Sequence, residues 1–162
     1  MKTLLILRHA KSSWSEPGLS DHDRPLNQRG LRDAPRMGQF VQQARLIPDW
    51  ILCSSANRAR ATAERVIAEM DFAGKIHFST DLYLAEPEVW VESLQLLDNQ
   101  ANRVMIVGHN PGLESLIFRL TGHDESFPTA ALAHVELPVN EWAELSLTTR
   151  GELTALWRPK SL

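Results

Sequence analysis

Four side chains carry the chemistry expected of this sequence. Arg8 and His9 end the apolar run Leu4-Leu5-Ile6-Leu7, His109 follows the apolar run Val104-Met105-Ile106-Val107-Gly108, and Arg58 falls in the first turn of a helix predicted to begin at Asn57. Taken singly, each has a plain reading: an Arg-His pair after a strand is the polar start of a loop, and Arg58 can reach a nearby carboxylate. Together they point to an anion. A cation in the first turn of a helix opposes the helix dipole, at a cost of about 0.3 to 1 kcal/mol. A bound anion reverses that sign, because helix N-termini and guanidinium groups both favour phosphate. Two permanent cations and two titratable rings in one pocket suit a tetrahedral dianion. Binding alone does not need two histidines, whereas a neutral imidazole is a competent nucleophile toward phosphorus and splits a hard displacement into two easier ones. His9 is the candidate nucleophile. His109, if protonated, would join the arginines in stabilising charge on the moving phosphoryl group.

That chemistry requires the ends of three strands to lie side by side. In open α/β sheets ligands bind just beyond the carboxyl ends of the strands. Apolar runs of four to eight residues with polar boundaries read as strands buried on both faces, which fits the segments ending at Leu7, at Ser55 and at Gly108, with a shorter strand over Ile76 to Thr80. Helices alternate with them. Asn27 caps one with apolar positions Leu31, Ala34, Met37, Val41 and Ala44, interrupted by Pro35, where a kink is expected and the boundary stays open. The helix from Asn57 carries Ala59, Ala63, Val66, Ile67 and Met70 inward. Pro87 starts another that runs to about Leu97, and Asn110 and Pro111 open one with the stripe Leu113, Leu116, Ile117 and Leu120. The predicted fold class is therefore α/β, a mostly parallel central sheet flanked by helices on both faces. Three alternating segments follow, Leu132 to Leu137, Trp142 to Leu147 and Glu152 to Trp157, with Arg150-Gly151 as a hairpin turn between the last two. The Ser12 to Pro25 loop, with Trp14 and Asp21-His22-Asp23-Arg24, reads as a lid or as a plain surface excursion.

At 162 residues the chain is expected to be one domain, 1–162, long enough for a real core. A hydrophobic content of 43% and a charged content of 23% are those of a globular protein. With a net charge of −3, a pI near 6.1 and no basic run, nucleic acid is not an expected partner. A single cysteine, Cys53, excludes an intramolecular disulfide and fits a reducing compartment. The apolar opening is interrupted by Arg8 and His9 too early for a signal peptide, and no stretch has the roughly 18 apolar residues of a membrane helix. A cytoplasmic protein with no membrane partner is expected.

Four motifs carry a resemblance. Leu7-Arg8-His9-Ala10-Lys11-Ser12-Ser13-Trp14, Asp23-Arg24-Pro25-Leu26-Asn27-Gln28-Arg29-Gly30, Ser54-Ser55-Ala56-Asn57-Arg58-Ala59-Arg60-Ala61-Thr62-Ala63 and Val107-Gly108-His109-Asn110-Pro111-Gly112 resemble the histidine phosphatase superfamily, phosphoglycerate mutase-like in fold, and within it the short SixA branch of phosphohistidine phosphatases. The resemblance covers the chain to about residue 135. It implies that His9 becomes phosphorylated, that Arg8 and Arg58 bind the phosphoryl group and that His109 is the second pocket histidine. No cofactor or metal is implied. Ala10 and Ser15 stand where many relatives carry glycine and asparagine, making Ser15 a candidate phosphate donor beside Asn110. The substrate implied is a phosphohistidine protein or a small phosphorylated compound.

Larger relatives place an acid in an insertion to protonate the leaving group, for which this chain has little room. Glu86 is the candidate by position, with Asp21 or Asp23 as alternatives, and Glu86 reads equally as a capping carboxylate. Imidazole leaving from phosphohistidine has a conjugate acid of pKa near 6.5 and departs more easily than an alkoxide leaves a phosphoester, so a chain without a clear acid suits an activated phosphoramidate. A cysteine phosphatase fails on spacing, since four residues separate Cys53 from Arg58. A metal site fails because His9, His22, His109, His123 and His134 show no ligand spacing. A mutase would need a closed pocket to retain its product. A non-catalytic phosphate- or phosphoprotein-binding module, and a phosphatase of a small-molecule phosphate, remain alternative readings.

Overall fold

A computed structural model describes residues 1–162. Six strands form one sheet in the order β3-β2-β4-β1-β5-β6, where β1 is Lys2–Arg8, β2 Trp50–Ser54, β3 Lys75–Ser79, β4 Arg103–Gly108, β5 Leu132–Leu137 and β6 Glu152–Trp157. The pairs β1 with β4, β2 with β4 and β2 with β3 are parallel. Strand β5 runs antiparallel to both β1 and β6. The expected α/β class and mostly parallel sheet are therefore present.

Period-two side-chain alternation divides the apolar residues of the strands between two cores. Leu4 and Ile6 of β1 and Val104 and Ile106 of β4 face the helices α3, Pro87–Gln95, and α4, Gly112–Thr121, which contribute Trp90, Leu94, Leu113 and Leu116. Leu5, Leu7, Met105 and Val107 face α1, Gln28–Gln43, and α2, Asn57–Ile67, which contribute Met37, Val41, Ala63 and Val66. Leu4 to Leu7 are all fully buried, as a strand covered on both faces requires.

Four expectations change, at Leu31, at Ala44, over Trp142 to Leu147 and at Arg150-Gly151. Helix α1 continues through Pro35 without a boundary, and the carbonyl that Pro35 leaves without a donor belongs to Leu31, which is exposed rather than on the inner face. Ala44, also expected inward, is exposed. Residues Trp142 to Leu147 are not a strand: Glu141 and Glu144 form a capping box around a 3-10 turn at Trp142–Glu144, and the buried Trp142 indole donates to the Ala101 carbonyl at 2.6 Å. With that strand absent there is no hairpin at Arg150-Gly151, and β6 pairs with β5 instead.

The chain after β1 is tied down on three sides. The His9 amide donates to the Gly108 carbonyl at 3.0 Å, and the His9 carbonyl accepts from Ala130 at 3.0 Å. The Ala10 amide donates to the hydroxyl of Thr62, fully buried in α2, which itself donates to the Arg58 carbonyl at 2.7 Å. Asn27 caps α1 by accepting from the Gly30 amide, and a Cβ on Gly30 would collide with the Lys11 carbonyl. Only glycine lets α1 approach so closely the segment that follows His9. Thr62 thus links the end of β1 to the first turn of α2. Thr62→Val, nearly isosteric, leaves the Ala10 amide without an acceptor and is expected to lower unfolding free energy by about 1 to 3 kcal/mol, read by urea denaturation.

Candidate active site

Because β2, β4 and β1 are neighbours and Arg8 is in register with Gly108, the residues that follow them meet at one sheet edge. There Arg8, His9, Arg58, His109 and Asn110 line a pocket of about 220 Å³ together with Lys11, Ser12, Trp14, Arg24, Leu84 and Thr129. Four cations line it and no carboxylate does.

The His9 ring is fixed by its own backbone. Nδ1 lies 2.8 Å from the Ala10 carbonyl oxygen, which can only accept, so Nδ1 carries the hydrogen and Nε2 keeps the lone pair. Burial, then the Arg58, Arg8 and Arg24 charges, lower the His9 pKa to about 3, opposed by the Ala10 hydrogen bond. His109 sits 5.1 Å away, ring centre to ring centre. Its Nε2 is 2.8 Å from the Ser54 hydroxyl, which also accepts from the Ala56 amide. Ser54 is fully buried, and His109 Nε2 is the one acceptor in reach of its hydrogen. Ser54 therefore donates, and the neutral His109 ring carries its hydrogen on Nδ1. Burial first, then His9 and Arg58, lower its pKa also to about 3.

Three buried donors in this pocket have no partner in the protein: Arg8 Nε, Arg58 Nε and His109 Nδ1. Each such orphan costs about 1 to 3 kcal/mol. An oxyanion in the pocket would meet the guanidinium groups of Arg8 and Arg58, whose forks match its geometry. Burial lowers the Arg8 pKa, opposed by Glu114, without removing its charge.

The loop after His9 folds back over the site. Ser12 bridges to Leu26, and the 3-10 turn Asp21–Asp23 lies against α2. Arg58 donates through Nη1 to the Asp21 carbonyl at 2.7 Å and through Nη2 to the Asp21 carboxylate at 2.9 Å. The Asp21 carboxylate also accepts from the Tyr83 hydroxyl and from Arg24 Nε at 3.1 Å. Tyr83, with Arg58 and Arg24, holds the Asp21 carboxyl well below the usual carboxylate range.

The other candidates lie differently. Asn110 lines the pocket, but its amide donates to Glu114 Oε1 at 3.0 Å and to the Phe127 carbonyl at 2.8 Å, which commits both hydrogens to local structure. Ser15 is exposed and pairs with the Ser13 hydroxyl at 2.8 Å; Ser12 takes the place at the pocket wall. Glu86 is exposed at the start of α3, in a cleft with Glu114 and Arg119 rather than in the basic pocket. Asp23 is exposed, and its carbonyl accepts from Asn57. No three His, Cys, Asp or Glu side chains are grouped to hold a metal ion, and no helix is long and apolar enough to cross a membrane. Cys53 lies in β2 facing the core, its thiol pKa pushed far up by burial. The sequence reading missed Ser54, Thr62 and Tyr83. A hydroxyl at the end of an apolar strand was the available signal for Ser54.

A protein-family model described as the histidine phosphatase superfamily, branch 1, matches residues 4–86. An uncharacterized chloroplastic protein of Arabidopsis thaliana, At3g52155, is 32% identical over 152 residues, spanning 88% of this chain and 70% of that protein. A crystal structure from Agrobacterium tumefaciens, carrying the provisional name phosphohistidine phosphatase SixA, superposes with a TM-score of 0.84 at 28% identity over 98% of each chain. The protein histidine phosphatase SixA in complex with tungstate matches in fold, with a TM-score of 0.84 at 22% identity and 98% of each chain covered. With a mostly parallel sheet at whose edge two histidines and two arginines meet, the chain belongs to the histidine phosphatase superfamily and is a phosphatase of the SixA-like kind in structure.

Both rings are neutral down to about pH 3 in the folded protein, whereas in the unfolded chain they take up protons below about 6.5. The unfolded state therefore binds more protons between those values, and stability falls as pH drops from 6.5 toward 3. In phosphate-free buffer, imidazole ¹⁵N spectra are expected to show His9 and His109 as Nδ1–H tautomers that do not titrate between pH 5 and 8. A midpoint near 6.5 for either ring would contradict the assignment.

Proposed function

We propose that residues 1–162 form one phosphatase domain that hydrolyses phosphohistidine, or a similarly activated phosphoramidate, through a phosphohistidine intermediate on His9. The observation that carries this reading is the Nδ1 hydrogen bond to the Ala10 carbonyl, which leaves Nε2 as a lone pair at a wall crowded with cations. Nε2 attacks phosphorus as the P–N bond to the leaving ring breaks, and that ring, already protonated on its other nitrogen, takes the electron pair and departs as neutral imidazole. Arg8, Arg58 and His109 Nδ1–H supply donors to the equatorial oxygens, where charge spreads in a loose transition state. Water then attacks the same phosphorus, releasing phosphate and returning the lone pair to Nε2. In this scheme His109 acts as a neutral donor until the phosphate charge arrives.

The choice of leaving group rests on acidity. No carboxylate lines the pocket, and Asp21 is held ionised by Tyr83, Arg58 and Arg24. An alkoxide would depart without a ready proton, whereas imidazole needs little help. The similarity to the Agrobacterium SixA structure supports the same substrate. The single thiol, Cys53, buried and unpaired, supports a reducing, cytoplasmic setting and offers no alternative nucleophile.

Wild-type protein incubated with a ³²P-phosphohistidine peptide is expected to acquire acid-labile label on His9, and His9→Ala to acquire none and lose turnover. Arg58→Ala is expected to lower kcat by about 10²- to 10³-fold, the loss typical of one transition-state donor. The phosphohistidine peptide is expected to exceed a phosphoserine peptide in kcat/KM, and equal or reversed efficiencies would sink the substrate assignment. Phosphate binding without labelled intermediate or turnover would instead identify a binding module.

A further inference from the structure

Helix α1 carries Arg29, Arg32 and Arg36 on one exposed face, spaced three and four residues apart. Like charges at that spacing lie one above another and repel. A single carboxylate answers them: Asp33, 5% exposed, lies 3.2 Å from Arg32, 3.6 Å from Arg36 and 3.9 Å from Arg29. Across the groove Arg158 and Lys160, just beyond β6, add two more cations. The groove of about 280 Å³ thus holds five cationic side chains and one carboxylate, on a chain whose net charge is −3. Arg36 donates to the Pro159 and Leu162 carbonyls and Arg158 to the Ser126 carbonyl beside Glu125, so folding accounts for part of the charge; Arg32, paired only with its helix neighbour Asp33, and Lys160 tie no elements together.

The groove adjoins the active-site pocket at Thr129. Thr129 lines both, and its hydroxyl accepts from Arg29 at 3.2 Å. At the other end Arg36 is shared with a cleft where Phe40 and Trp157 pack ring to ring, 4.6 Å between centroids, both half-buried. The track therefore runs from the phosphate pocket over cations to an aromatic pair. From Arg29 to Phe40 the helix covers about 16 Å at 1.5 Å per residue, the reach of about five extended residues. A small phosphorylated metabolite does not span it.

We infer that this track is a docking groove for a phosphoprotein segment, receiving acidic side chains near the phosphorylated residue between the arginine row of α1 and the facing Arg158 and Lys160, and an apolar side chain at Phe40 and Trp157. Charge complementarity and the length of the track select a polypeptide. Guanidinium forks recognise carboxylates in pairs of hydrogen bonds. Bulk screening by salt weakens such contacts over a Debye length of about 8 Å at physiological ionic strength. The inference rests on the phosphatase reading above for the identity of the substrate, and it adds what surrounds the phosphorylated residue.

The test uses two phosphohistidine peptides, one with aspartate and glutamate flanking the phosphorylated residue and one with asparagine and glutamine in their place, together with phosphoramidate, which is too small to reach the groove. Wild-type protein is expected to favour the acidic peptide in kcat/KM by about fivefold at low salt, with the preference fading as salt rises. The double variant Arg158→Ala with Lys160→Ala leaves the Asp33 cluster and the catalytic pocket intact. It is expected to lose the preference through KM, with kcat and phosphoramidate turnover unchanged. Equal efficiency for the two peptides in the wild type would overturn the inference, as would a preference for a small bisphosphorylated compound over the acidic peptide. Absence of phosphoramidate turnover would count against the phosphatase reading alone. Fluorescence anisotropy of the unphosphorylated acidic peptide, expected to bind wild type several-fold more tightly than the double variant, then decides the groove independently of catalysis.

Discussion

Positive charge packed into a wall that lacks carboxylates is the constraint from which the rest of this structure follows. Arg8, Lys11, Arg24 and Arg58 line one small pocket, and two imidazoles lie between them. Burial first, and the neighbouring cations second, oppose a proton on either ring, so both rings are held neutral. Neutrality turns the hydrogen-bond partners into the deciding features. The Ala10 carbonyl fixes one tautomer and the Ser54 hydroxyl the other, giving one ring a free lone pair and its neighbour a free N–H. A dianion entering the pocket relieves the charge crowding.

Asp21 balances this arrangement from outside the wall. It neutralises part of Arg58 and Arg24 and takes the Tyr83 hydroxyl, leaving Arg58 Nε unpaired. The Ser12 to Pro25 segment is thereby more than a surface excursion. It is fastened to Arg58 by a backbone carbonyl and a carboxylate at once, so loop position and guanidinium orientation are coupled. Trp14, largely exposed, lies flat on Arg24 at 3.5 Å and continues the same contact to the rim.

Much of this was legible in the residues. The doubly covered strands read directly from uninterrupted apolar runs, and the polar residues at their ends pointed to the edge where a ligand binds. The adjacency of β2, β4 and β1 could only be assumed from sequence, because strand order depends on how crossovers pack and leaves no local mark. The segment at Trp142 was misread because six residues of alternating polarity fit a strand as well as they fit a capped turn around one buried indole. Leu31 looked inward by spacing, yet the face of α1 is set by Ala34, Met37 and Val41 against the sheet. Ser15 and Glu86 were placed by counting along motifs, and a short chain that turns differently carries those positions away from the pocket.

The only sulfhydryl in the molecule is locked under the sheet, and no sulfur atom borders the pocket. Phosphatases that attack through a thiolate are silenced when peroxide oxidises it. A pocket wall made of nitrogen donors offers no such target, so under the proposed function dephosphorylation here continues through an oxidative burst that halts sulfur-dependent counterparts.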